Sequence, residues 1–270
     1  MFNNITIVHI DGRYDDLIGG QNALLKSGIE LPGARMLLLS PKKPSNLHQS
    51  INHESIAPLS YFEYSLFLIY ELYQFIPTEF ALIVQNDGWV LNGKNWVQDF
   101  FEYDYIGAPT HFARVKRFEE EKFLKNFNWV QYLNNSNYIV DIVMNGGFSL
   151  RSKKLLKTPS DILLPFIENN SRQEDVQLCL FMKNQLEKNG IKFAPLNLAK
   201  KFAFEYLSPL LHSDIDLTKI LGHHGKLRCL ESLNPLKISY SEKEEIVNKV
   251  FGEKSIIQLF KEYNYEIKFG

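Results

Sequence analysis

The chain has 270 residues, a formal net charge of −1, 45% hydrophobic and 13% aromatic residues. That is an ordinary globular profile, long enough to bury a core without staples. The near-neutral charge argues against a dedicated nucleic-acid binder, which usually shows a basic face, while leaving room for a local cationic patch, and no uninterrupted apolar stretch reaches membrane-spanning length.

In chain order, Ile5–Ile10 is an apolar, mostly β-branched run that reads as a buried strand, and the polar residues His9, Asp11, Gly12 and Arg13 mark its end. Met1–Ile10 lacks the charged start and apolar core of a signal peptide. A helix is expected over residues 15–27 and a second strand over 35–39, stopped by Ser40 and Pro41. Residues 42–53 are polar and read as a loop. A helix follows over 61–75, then a compact strand over 81–84 that breaks off in Gln85-Asn86-Asp87-Gly88. Strands alternating with helices imply an α/β fold, a Rossmann-like, mostly parallel central sheet flanked by helices. In such sheets ligands sit beyond the carboxyl ends of the strands. Polar residues after Ile10 and Val84 therefore mark the expected substrate site.

Beyond Gly107 and Pro109 the pattern weakens, and residues 111–137 read as an excursion over the active site. A brief strand over 148–150, a helix beginning over 152–156 and a strand over 191–195 are expected. The clearest helix spans 171–188, with Gly190 as its stop. One domain over 1–230 is expected, with a charged helical extension over 231–270 packed on its outside. Cys179 and Cys229 lack metal-type spacing and read as reduced thiols, which fits a cytoplasmic protein.

Four groups could carry chemistry. Asp87 sits in an Asp-Gly step at a strand end, where a carboxylate could hold Mg²⁺ or Mn²⁺, or simply make a turn. Asn145-Gly146-Gly147 precedes a strand and would let backbone approach a ligand closely, or form a bulge. Ser171 and Glu174 fit a capping box. Asp175 is left over at the helix start, where the dipole keeps a carboxylate ionised, as a general base requires; it could equally be a solvated acid. His223 and His224, with Gly225 and Lys226, could bind a metal and a phosphate. No P-loop, dinucleotide fingerprint, nucleophile elbow or zinc-protease helix is present.

In this order the motifs resemble a bacterial family of glycosyltransferase-like proteins carried as a domain of unknown function. The resemblance rests on Ile7-Val8-His9-Ile10-Asp11-Gly12-Arg13, Val84-Gln85-Asn86-Asp87-Gly88 and Tyr103-Asp104-Tyr105-Ile106-Gly107-Ala108-Pro109. It continues in Asn145-Gly146-Gly147-Phe148-Ser149-Leu150-Arg151, Gln173-Glu174-Asp175-Val176 and Gly222-His223-His224-Gly225-Lys226. It spans about residues 5–228. That family is in turn similar to GT-A-fold enzymes such as the β-1,4-galactosyltransferases. The resemblance implies a GT-A-like fold and a metal-dependent, inverting hexosyltransferase. A nucleotide-sugar donor, a UDP-sugar first, would give its sugar to a glycan or glycoconjugate hydroxyl, as in polysaccharide biosynthesis. Asp87 and His224 would hold Mn²⁺ or Mg²⁺, Asp175 would be the base, and Glu174 would bind acceptor. His9, Asp11, Arg13, Gln85, Asn86, Asn145, Gly146, Gly147 and Lys226 would line the donor site. Gln85 stands where those enzymes carry the first Asp of an Asp-x-Asp motif. A retaining transferase on the same fold, and an inactive nucleotide- or sugar-binding protein, are the alternatives. No nucleic-acid partner and no membrane span are expected; peripheral membrane association is compatible with the sequence.

Overall fold

Burial on both faces suits a strand this rich in β-branched apolar residues, and Ile5–Ile10 (β1) is buried at every position, Thr6 and His9 included. The computed structural model describes residues 1–13, 17–125, 131–133, 135–167, 171–205, 214–225, 228–233, 236–250 and 253–270. β1 lies inside a seven-stranded sheet. Its parallel neighbours are β2 (Arg35–Ser40) and β4 (Phe80–Ile83), and β3 (Ile51–Ser55) pairs parallel with β2 at one edge. α1 (Leu17–Glu30) crosses from β1 to β2, and α2 (Tyr61–Tyr70) leads from β3 back to β4.

The remaining half of the sheet is antiparallel. β8 (Ile139–Ser152) opposes β4, β6 (Tyr105–Arg117) opposes β8, and β7 (Glu120–Leu124) closes the far edge against β6. β6 therefore points with the parallel set, so that only β7 and β8 run against it. Side chains alternate between two cores. Ile5, Ile7, Leu38 and Leu82 pack with Ala23 and Leu24 of α1. Val8, Ile10, Leu37 and Ile83 pack with Phe67 and Leu68 of α2, and with Leu156 of α3 (Lys153–Asp161), which follows β8 directly. The chain leaves β1 toward β2 on one side and reaches β4 on the other. This reversal opens a crevice at the carboxyl ends of β1 and β4.

A second, three-stranded sheet borders that crevice. In it β10 (Gly222–His224) pairs antiparallel with β5 (Gly88–Val90) and parallel with β9 (Ala203–Phe204). Several expectations need correction. The loop expected over 42–53 contains the start of β3, an edge strand that leaves Asn52 and Glu54 exposed on one face. Most described residues of the expected excursion form the β6–β7 ribbon, where Lys116 bridges Glu121 at 3.0 Å and Arg114 is buried against Asp141. Residues 126–130 and 134 lie outside the described set. The strand expected over 148–150 is the end of β8. The helix expected from 171 begins at Glu174 as α4 (Glu174–Val176). It passes through a π-helical segment (Gln177–Phe181) and resumes as α5 (Lys183–Lys188). A π-helical turn is rare and often marks a functional site. Of residues 191–195 only Phe193 makes a bridge, to Tyr105, and α6 (Leu196–Phe202) follows.

A third sheet joins β11 (Arg228–Leu233), β12 (Leu236–Tyr240) and β13 (Glu266–Lys268). Its Ile238 and Tyr240 share a core with Val247 of α7 (Glu244–Val247), with Ile257 and Phe260 of α8 (Glu253–Glu262), and with Phe204, Leu217 and Ile220. Residues 231–270 are thus part strand rather than a wholly helical extension, and β11 runs across residue 230. Among the described residues no helix is long and apolar enough to cross a membrane.

Candidate active site

The crevice at the ends of β1 and β4 is a pocket of about 280 Å³. His9, Asp11 and Arg13 line it from β1, Gln85 and Asn86 from β4, and Leu59, Tyr61 and Tyr64 from the start of α2. The two strand ends are tied together, because His9 Nδ1 donates to the Val84 carbonyl at 3.0 Å. Asp11 Oδ1 accepts the Arg13 amide at 3.0 Å, a side-chain turn that steers the chain around the pocket. Gln85 Nε2 donates to the Tyr64 hydroxyl at 2.9 Å, and burial pushes the Tyr64 phenol well up. All five donor-site residues expected from the first two strand ends therefore share one cavity.

A second group gathers where the small sheet meets that crevice. Asp87 immediately precedes β5, and His224 pairs with Gly88 across β10. The backbone closes the corner, with the Gly225 amide donating to the Asp87 carbonyl at 3.0 Å. His224 Nε2 stands 3.0 Å from Gln85 Oε1 and 3.4 Å from Asp87 Oδ1, while Nδ1 stands 3.4 Å from Glu205 Oε1. Burial works against charge on this imidazole, but the Asp87 and Glu205 carboxylates outweigh it and push it up to about 10. His223 points to the other side of β10. It is buried edge-on against Trp89, with ring centroids 4.4 Å apart, and packs near Phe204.

Asp87 and His224 fit a divalent ion as a pair. Two ligands each about 2.1 Å from one ion lie roughly 3–3.5 Å apart, which is their separation here. The Glu205 carboxylate faces the other ring nitrogen at 3.4 Å, the place where a ligating histidine usually has a carboxylate partner. Among the described residues no group of three or more His, Cys, Asp or Glu side chains is arranged to hold a metal. Further ligands would have to be diphosphate oxygens and water.

β8 runs antiparallel to β4, so its Asn145-Gly146-Gly147 segment reaches the same edge. Asn145 Oδ1 accepts the amides of Gly147 at 2.6 Å and Phe148 at 3.1 Å, which fixes the bend. A Cβ on Gly147 would collide with His224 Nε2 and Gln85 Oε1, and one on Gly146 would collide with Glu174 Oε1. The close approach these glycines permit is thus made by the protein's own side chains.

Glu174 does not form the expected capping box. Gln173 is the N-cap and makes no side-chain cap bond; a reciprocal box forms instead at Ser60 and Glu63. Glu174 Oε1 accepts from Arg151 Nη2 at 2.9 Å, and that guanidinium also reaches the Gly146 carbonyl and Ser149 Oγ. Asp175 Oδ1 accepts the Val176 amide at 2.7 Å. Desolvation pushes the Asp175 carboxyl up to about 8, with Glu174 and Glu205 adding to the rise. Burial thus opposes the ionised form that the helix start was expected to favour. Tyr61 lines the pocket on the side of this group; burial, with Glu174 and Asp175 close by, raises its phenol.

Lys226 lies outside the described residues. Three contributors were not singled out from the sequence: Glu205, Tyr61 and Arg151. Glu205 had a visible signal, since Phe202-Ala203-Phe204-Glu205 is a short apolar run ending in an acid, much as the second strand end does at Asp87. Cys179 is a buried free thiol that donates to the Met144 carbonyl.

The chain belongs to the family described as a protein of unknown function (DUF5672), whose sequence pattern matches residues 54–224. The match takes in every motif of the site except the first strand end and residues beyond His224. No functionally curated protein matches the chain. Among solved structures it is similar to a mannose-1-phosphate geranyltransferase from Thermus thermophilus. The two are 12% identical, with a TM-score of 0.34 over 67% of this chain and 71% of that one.

Proposed function

We propose that this DUF5672 member is a glycosyltransferase that moves a sugar from a nucleotide-sugar donor, a UDP-sugar first, to a hydroxyl of a glycan or glycoconjugate. The observation that carries the reading is the shared pocket. His9, Asp11 and Arg13 come from one strand end and Gln85 and Asn86 from another, and they converge beside Asp87 and His224. A pocket with convergent polar groups at a sheet's switch point is where α/β proteins bind nucleotides.

In this reading the pocket takes the nucleotide, Arg13 meets base or phosphate, and Lys226 meets phosphate. Asn145, Gly146 and Gly147 border the donor sugar. Asp87 and His224 would hold Mn²⁺ or Mg²⁺. When bound, the ion supplies charge stabilisation for the departing diphosphate. Asp175 takes the proton of the acceptor hydroxyl as its oxygen bonds to the anomeric carbon. The bond from that carbon to the diphosphate breaks, and the nucleoside diphosphate leaves with its electron pair. Attack opposite the leaving group inverts the anomeric centre. Glu174, held by Arg151, borders the acceptor.

A second reading, a nucleotide- or sugar-binding protein without turnover, is favoured by two observations: burial raises the Asp175 carboxyl, and Glu174 is paired with Arg151. Calorimetry with a panel of nucleotide sugars, with and without Mn²⁺, combined with nucleoside diphosphate release between about pH 6 and 9, on either side of the raised carboxyl, separates the two. Mn²⁺-dependent binding with release supports the transferase. Binding without release at any pH supports the second reading, and no binding across the panel defeats both.

A further inference from the structure

We infer that Glu205 is a positioning residue for the metal-binding histidine. It fixes the His224 ring through Nδ1, so that Nε2 faces the ion site beside Asp87. The inference rests on the proposed reading of Asp87 and His224 as ligands.

The backbone register brings the two residues together. β9 and β10 run parallel with Ala203 beside Gly222 and Phe204 beside His223, so the next pair in that register is Glu205 and His224. Glu205 Oε1 lies 3.4 Å from Nδ1, on the ring edge opposite Asp87. An imidazole that ligates through one nitrogen needs its other N–H held, because that bond selects the tautomer and aims the lone pair. The glycine at 147 adds a steric side to the lock, since its missing Cβ is the space that Nε2 and the adjoining ring carbon occupy. Gly88 backs the same ring edge. The ring thus has the Glu205 carboxylate at one end, Asp87 and the Gln85 carbonyl oxygen at the other and backbone against its side.

Mn²⁺ binding to the full chain, read from the electron paramagnetic resonance of free Mn²⁺, tests this without any turnover. Glu205→Ala should weaken Mn²⁺ affinity about 10–100-fold, the usual effect of removing such a partner. Glu205→Gln, which keeps shape and an acceptor oxygen, should recover much of the loss. The ring ¹⁵N signals of His224 in metal-free protein should show one held orientation in the wild type and averaging in Glu205→Ala. Melting temperature is followed for each variant. Unchanged Mn²⁺ affinity in a folded Glu205→Ala or a Glu205→Gln as weak as Glu205→Ala overturns the inference alone. Loss as complete as in His224→Ala, with Gln no better than Ala, overturns it by making Glu205 a direct ligand. A wild type that binds no Mn²⁺ overturns the metal reading itself, and this inference with it.

Discussion

Arg151 and Glu174 meet at 2.9 Å, the guanidinium fully buried and the carboxylate nearly so, from positions 23 residues apart. Arg151 sits at the end of β8 and Glu174 opens α4, so the pair anchors the acid-bearing helix start to the central sheet. Removing one partner of a buried pair leaves the other charge uncompensated, which costs about 3–5 kcal/mol. Glu174→Gln should therefore lower unfolding stability by several kcal/mol, far more than the roughly 1 kcal/mol of a lost helix cap. Urea unfolding of Glu174→Gln measures it, and a loss no larger than that of a cap would mean that the pair does not anchor the helix.

Asp175 links activity to pH. Its carboxyl is raised to about 8 in the folded chain, against about 3.9 when unfolded. A base must be ionised, so transfer should rise as pH climbs through about 8. Asp175→Asn should remove that limb and cost roughly 10²–10⁴ in rate, with donor affinity nearly unchanged. The stability sign is opposite. Between about pH 4 and 8 the folded chain binds more protons than the unfolded one, so this group's contribution is full below about pH 4 and is lost as pH rises through about 8. Asp175→Asn should then melt higher than the wild type at about pH 8–9, with the gap shrinking toward about pH 5. Equal melting curves at all pH values would contradict the raised carboxyl.

The two histidines should separate by phenotype. His224→Ala should abolish metal-dependent donor binding, and Asp87→Ala should do the same. His223→Ala should keep Mn²⁺ dependence but lose about 1–3 kcal/mol of stability, because its ring fills the space against Trp89. Mn²⁺ titrations alongside thermal melts decide it, and the reverse ranking would reassign the ligand.

Gly147→Ala should damage the metal corner without touching a charged residue. The new methyl would occupy the place of His224 Nε2 and Gln85 Oε1, so one of those side chains must move. Mn²⁺ affinity should fall at least about tenfold, by analogy with the loss of an orienting partner, while a folded protein remains. Wild-type affinity in this variant would show that the ring has room that the packing denies it.

Strands β1, β2 and β4 were legible because each is a short apolar run stopped by polar residues, and the site was legible where those strands end. Asp11, Arg13, Gln85 and Asn86 follow those strand ends, His9 came with the family resemblance, and all five line the pocket that opens there. The polar edge strands β3 and β7 were not legible, because polar and charged residues facing water on a sheet edge carry no apolar alternation. Ser171 and Glu174 had the spacing of a cap, yet burial against Arg151 shifted the helix start, and tertiary pairing overrode the local motif. The choice between His223 and His224 turned on which side of β10 each faces. Glu205 reached the site only through the register of β9 with β10. Gln85 and His224, 139 residues apart, are in bonding distance because β10 pairs with β5 and sets His224 opposite Gly88. Periodicity and strand ends are local properties that a sequence carries by itself; which carboxylate faces which ring is set by crossovers and register, which exist only once the sheets have formed.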